Sequence, residues 1–189
     1  HMMKKIIYLL ILFSIVSCEN EKEQVKYYPS DFDVSEFNGE IISLDSTNYN
    51  FSQITDKIDF QNLILEFSDN KTKKQVIPYN FEFGSFRKKN ILGIDCDSIY
   101  KENGFSIDKI DLIMEKHYLN YGKNNEYPDF SKRAVIAIMI DSADSGKKLK
   151  DLLIKVTNSY DKLETKSIDT LRLYIFLNYL KIDKKSIKD

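Results

Sequence analysis

The chain has little of what usually announces chemistry or covalent stabilisation. Its two cysteines, Cys18 and Cys96, allow one disulfide at most. Of its two histidines, His1 belongs with Met2 to what reads as a cloning scar, which leaves His117. A zinc motif built on two histidines is therefore excluded within one chain, and any histidine-based triad has to use His117. No apolar run reaches the about 20 residues that a membrane-spanning helix needs. Positive charge is not in excess: the formal net charge is −1, which argues against nucleic acid as the main partner. No internal repeat and no second linker are visible. What is present is 42% hydrophobic, with 12 Tyr and 12 Phe, a composition that argues against disorder.

The N-terminal residues carry the strongest local signal. Lys4 and Lys5 precede an apolar stretch over residues 6–16, broken by Ser14. A positive start, a short apolar run and a small residue, here Ser17, form the pattern of a secretory signal. Ile15-Val16-Ser17-Cys18 resembles the lipobox of bacterial lipoproteins. The resemblance implies cleavage before Cys18, a diacylglycerol on its thiol and usually an N-acyl chain, and two or more acyl chains anchor stably. Glu19-Asn20-Glu21-Lys22-Glu23 resembles the surface-export signal of Bacteroidota lipoproteins, which implies an outer-membrane position on the periplasmic face or the cell surface. The same charges also suit a solvated tether. Cleavage leaves 172 of the 189 residues, enough for one domain with a core. Without Lys4 and Lys5, 26 basic residues face 29 acidic ones, a net charge of −3. With Cys18 lipidated, Cys96 has no disulfide partner, and stability has to come from packing.

The expected organisation is a scar and signal over 1–17, a lipidated tether over 18–36 whose distal part packs onto the domain through Tyr27, Tyr28, Phe32 and Phe37, one globular domain over 37–180 and a basic tail over 181–189. Residues 40–45 read as a short strand. Phe51, Ile54 and Ile58 recur at helical spacing. Residues 61–68 and 74–83 read as a hairpin closed by Ser68-Asp69-Asn70-Lys71, with Pro78 favouring an edge position. Residues 90–95 suggest another strand. Residues 106–121 form a helix capped by Ser106 and closed by Gly122, with Ile107, Ile110, Met114, His117 and Tyr121 on one face. Residues 134–140 are continuously apolar, as in a buried strand. A helix over 145–160 and a strand over 170–178 complete a βαβ unit with a parallel pair. The fold class is α+β (mixed α/β): a mixed sheet with an early antiparallel hairpin and a C-terminal βαβ unit.

Four positions are weak candidates for chemistry: Asp95, Asp97, His117 and Lys147. Ile91-Leu92-Gly93-Ile94-Asp95-Cys96-Asp97-Ser98-Ile99 resembles the first motif of haloacid dehalogenase-type phosphatases. That resemblance implies Asp95 as nucleophile and Asp97 as acid/base. Ile99 departs from that family's Thr or Val, and no later acidic pair for magnesium is visible. A strand ending in a polar turn accounts for the same residues. A calcium loop starting at Asp95 fails, because Ile99, Tyr100 and Ser106 stand at its fifth, sixth and twelfth positions. Cys96, between two carboxylates, has its thiol pKa raised and is a poor nucleophile. Asp141-Ser142-Ala143-Asp144-Ser145-Gly146-Lys147-Lys148 sits where a phosphate loop would sit, but lacks the first glycine and the final Ser/Thr. A solvated helix start explains it. His117, among apolar neighbours on its helix, reads as a packed histidine.

From residue 106 onward, the order helix, strand, helix, strand resembles the periplasmic domain of ExbD/TolR-type proteins. Those carry an N-terminal transmembrane helix, where this chain has a cleavable signal. No catalytic constellation emerges, and no cofactor or metal is expected. The expectation is a lipid-anchored envelope protein that binds another protein without catalysis, for example an immunity or adaptor lipoprotein. The alternatives are a glycan- or peptide-binding accessory lipoprotein, and a hydrolase using Asp95 and Asp97.

Overall fold

Residues 24–79, 87–165 and 171–177 are described by a computed structural model. The signal stretch, Cys18 and the basic tail lie outside these residues, as do positions 80–83 of the expected hairpin. The elements run β1 (Gln24–Tyr28), α1 (Asp31–Glu36), β2 (Glu40–Ser43), α2 (Phe51–Phe60), β3 (Leu63–Asp69) and β4 (Thr72–Val76). There follow β5 (Ile91–Ile94), β6 (Ser98–Tyr100), β7 (Phe105–Ser106), α3 (Ile110–Tyr118), β8 (Val135–Ile138), α4 (Gly146–Glu164) and β9 (Ile175–Leu177). They build two mixed sheets, ordered β1-β4-β3-β2 and β7-β6-β5-β8-β9. The α+β class therefore holds.

Each sheet combines antiparallel neighbours with helix-crossed parallel pairs. In the first, β3 and β4 form the hairpin, and Asn70 at its tip takes a positive φ of 55°. An asparagine tolerates that conformation better than most residues. β2 and β3 are parallel and α2 is their crossover. In the second sheet β5, β8 and β9 are parallel, and α4 connects the last two as the expected βαβ unit. Pro78 forms a parallel bridge with Ile175, and Tyr79 N donates to Ile175 O at 2.7 Å, so the sheets meet through β9.

α4 explains how two sheets share one core. Ser145 caps it by accepting from Lys148 N. Its buried positions include Leu149, Leu152, Leu153, Val156, Thr157, Ser159, Tyr160 and Leu163. That is wider than a single helical stripe, because the helix is covered on two sides. Lys74 of β4 donates to Thr157 and Asn158, while Tyr118 of α3 stacks edge-on to Tyr160 at 5.8 Å. Leu65 and Val76 of the first sheet, Val156 of α4 and Ile94 and Ile136 of the second belong to one apolar cluster.

Three expectations need correction. The tether was expected to reach residue 36, but Gln24–Tyr28 is a strand paired in parallel with β4 from Gln24–Thr72 to Tyr28–Val76. Tyr28 is buried, and its hydroxyl donates to Asp161 at 2.8 Å. The domain thus begins at or before Gln24. Pro78 does take an edge position, bridged to Ile175 on the outer side of β9, but not on the hairpin strand: β4 is internal, since β1 covers its other side, and it ends at Val76. Pro78 stands beyond that ladder, where no sheet bond requires its missing N–H. The helix expected over 106–121 is a 3-10 turn, Ile107–Lys109, followed by α3, which Leu119 closes by donating to Glu115 O. Tyr121 and Gly122, with φ of 49° and 74°, shape the loop beyond it.

Candidate functional site

Parallel pairing of β5 and β8 brings their following loops to one edge of the second sheet. Asp95, Cys96 and Asp97 come from the first loop, Asp141, Asp144 and Lys148 from the second and the start of α4. The carboxylate of Asp95 is committed to its own turn. Its Oδ1 accepts from Asp97 N at 2.9 Å and Ser98 N at 2.6 Å, and its Oδ2 accepts from the Tyr100 hydroxyl. Burial, and then that bond to Asp95, push the Tyr100 hydroxyl up to about 12. Asp97 is exposed, and its backbone oxygen accepts from Ile107 N. Cys96 is half-buried and unpaired among the described residues. Burial raises its thiol pKa, and Asp144, Asp95 and Asp97 add to that against the opposing pull of Lys148. A thiol so placed is a weak nucleophile. Among the described residues, no three of His, Cys, Asp and Glu converge in a way that could hold a metal ion.

Lys147 is exposed on the first turn of α4, and the helix start it occupies is closed by protein. Gly146 N donates to Tyr49 O at 3.0 Å, and Lys148 N to the backbone and side-chain oxygens of Ser145. In return, Phe51 N and Ser52 N of α2 donate to Asp144 O and Ser142 O. Two helix starts therefore supply acceptors to one another, where a phosphate loop would leave its N–H groups for an anion. Gly146 is required by this contact: a Cβ there would lie 2.8 Å from Thr47 Cγ2 and 3.2 Å from Tyr49 O. Lys148 pairs with Asp144 at 2.8 Å, and that hydrogen bond raises its ammonium pKa.

His117 is 0% exposed, beneath the start of β5 and β8. Its ring meets Tyr118 and Tyr127 edge-on, with centroids 5.7 and 6.4 Å away. Backbone groups of Val135 and Asn90 lie close enough to favour the charged ring slightly, yet neither Nδ1 nor Nε2 has a partner in hydrogen-bonding geometry. Burial, and then the Lys101 ammonium, push the imidazole down to about 3. The ring is thus neutral across the ordinary pH range. Lys101 was not a sequence candidate. Buried after β6, it donates to Lys89 O at 2.8 Å and Ile91 O at 3.3 Å, and burial lowers it to about 8. Nothing in its sequence surroundings separates it from the surface lysines. Among the described residues no Ser hydroxyl or Cys thiol bonds to His117, and its surroundings read as packing.

The residues that sequence reasoning missed lie at the other end of the first sheet. β2 is an edge strand, bonded on one side to β3 by Glu40 N to Asn62 O at 3.0 Å and Leu44 N to Glu66 O at 2.7 Å. Strand alternation then turns the N–H and C=O of Ile41 and the N–H of Ser43 to the side left open among the described residues, while Ser43 O accepts from Thr47 N at 3.0 Å in the turn that follows. Ile41 is 53% exposed, and Phe60, at the end of α2, is 89% exposed. Between them Glu40 accepts from Lys57 at 3.1 Å and Gln61 at 2.7 Å, and the Lys57 ammonium stands 5.4 Å from the ring of Tyr49. One signal was present in the sequence: Phe60 falls off the stripe of Phe51, Ile54 and Ile58. Compared with known proteins, the chain matches no family model, no curated protein and no solved structure.

Proposed function

We propose that the chain is a lipid-anchored envelope protein that works by binding another protein, with no chemistry of its own. The lipobox at Ile15-Val16-Ser17-Cys18 supports the anchor. The observation that carries the binding role is the edge of β2, unpaired among the described residues, with Ile41 exposed on it and Phe60 exposed at the end of α2. Large exposed apolar side chains beside an unpaired strand edge are a liability in a protein with no partner. A partner strand or loop would pair with the outward N–H and C=O of Ile41 and bury its side chain, with Glu40 and Lys57 as a polar rim. An immunity or adaptor lipoprotein is one form of this role.

The test is comparative capture. The mature protein and an Ile41→Glu/Phe60→Asp variant are used as baits against envelope extracts of the source cells and of neighbouring species. The native bait retains a protein that the variant loses, while both unfold at the same urea concentration. Identical capture by both baits, or retention of glycan alone, overturns the binding role. Separately, Cys18→Ala releases the protein from the membrane fraction and abolishes lipid labelling; a variant that stays labelled and bound overturns the anchor.

A further inference from the structure

We propose that the short link between Cys18 and β1 holds the hairpin end of the first sheet against the membrane and turns the Ile41–Phe60 end away from it. This rests on Cys18 being the lipid-bearing residue, as proposed above, and adds an orientation to it.

Residues 19–23 separate Cys18 from Gln24. An extended chain advances at most about 3.5 Å per residue, so Gln24 stays within about 20 Å of the acylated cysteine whatever the link does. A domain of this size is about 40 Å across. The leash is shorter than the body it holds. A tether running to residue 36 would reach about 60 Å and leave every orientation open.

Strand polarity decides which end is held. Gln24 pairs with Thr72, and Thr72 pairs across the hairpin with Asp69, so the start of β1 lies beside the Asn70–Lys71 tip. β3 runs toward that tip from Leu63, and the six steps between its seven residues cover about 20 Å. β2 is parallel to β3 and begins opposite Leu63, at Glu40. α2 delivers Phe60 just before β3 starts. The exposed apolar pair therefore lies toward the end of the sheet remote from Gln24. The near end is polar, with Asp69, Asn70, Lys71 and Thr72 at the tip. Such residues suit the headgroup layer and not the acyl layer. The membrane thus contacts one pole, and the partner surface is presented at the other.

The full chain, lipidated and reconstituted in phosphatidylethanolamine/phosphatidylglycerol vesicles, tests this. With Cys96→Ser removing the competing thiol, a fluorophore is placed at Asn70→Cys or at Asp59→Cys. Lipids with a nitroxide headgroup then quench it. Quenching at position 70 exceeds that at position 59 by at least about twofold, and inserting about 20 flexible residues between Glu23 and Gln24 removes the difference. Equal quenching, stronger quenching at position 59, or a difference that survives the insertion overturns the orientation. Lipid labelling of the same samples separates the failures. A labelled chain with equal quenching overturns the orientation and leaves the anchor standing. An unlabelled chain overturns both.

Discussion

His117 places a titratable ring where a proton has no counter-charge. Lys101 faces it, Tyr118 and Tyr127 wall it in, and the carboxylates of Glu102 and Glu126 act on Lys101 rather than on the ring. The folded imidazole titrates at about 3 against an ordinary 6.5. Between those values the unfolded chain binds a proton that the folded chain does not. The stability due to this group is therefore whole above about pH 6.5 and is lost as pH falls toward 3, by at most about 1.4 kcal/mol per pH unit. His117→Leu abolishes that part of the slope. Urea unfolding at pH 7 and pH 4.5 should show native protein losing about 2 kcal/mol more than the variant. Equal losses would show that the ring accepts its proton without penalty. The sequence placed His117 among apolar positions of its helix, and it is buried there. Lys101 carried no such mark, because a lysine after a short strand looks the same whether it turns inward or outward.

β4 shows why an element can be legible and its surroundings not. The hairpin was visible because the Asp69-Asn70-Lys71 turn separates two strand-like runs. Yet Lys74 occupies a core-facing position and is 2% exposed, which makes Thr72–Val76 read as a polar, solvent-facing strand. Its ammonium is held by Asp69 at 3.0 Å, Asp161 at 3.6 Å, Thr157 at 3.1 Å and Asn158 at 2.6 Å. Lys74→Met leaves two carboxylates without their shared cation and costs about 3 kcal/mol in urea unfolding. Adding Asp69→Asn to that variant recovers part of the loss, since its uncompensated charge is removed, whereas Asp161 keeps Lys26 at 2.9 Å. A loss below about 1 kcal/mol would mean that the network is neutral overall. β1 was missed for a related reason. Its charged approach looks like tether, and its partner strand lies almost fifty residues along the chain.

At the scale of the molecule, the strand that was taken for tether decides the domain boundary. A chain starting at residue 24 unfolds in one cooperative urea transition. One starting at residue 37 loses the parallel pairing with β4, the buried Tyr28 and its bond to Asp161. Removing one buried aromatic side chain alone costs about 3–5 kcal/mol, so the shorter chain unfolds at clearly lower urea or lacks a cooperative transition. Equal midpoints for the two chains would return residues 24–36 to the tether.

The sequence by itself determined what depends on near neighbours: the hairpin turn, Ser106 as a cap, here of the 3-10 turn before α3, the apolar run of β8 and the βαβ unit that follows it. Those features arise from spacings of two to four residues, where backbone preference and alternation act. Tertiary structure alone decided that β1 closes the open side of β4 and that the starts of α2 and α4 close one another. Each of these depends on which distant segment covers a given face. That is set by the burial of whole elements against one another, and it leaves no periodic trace in any one of them.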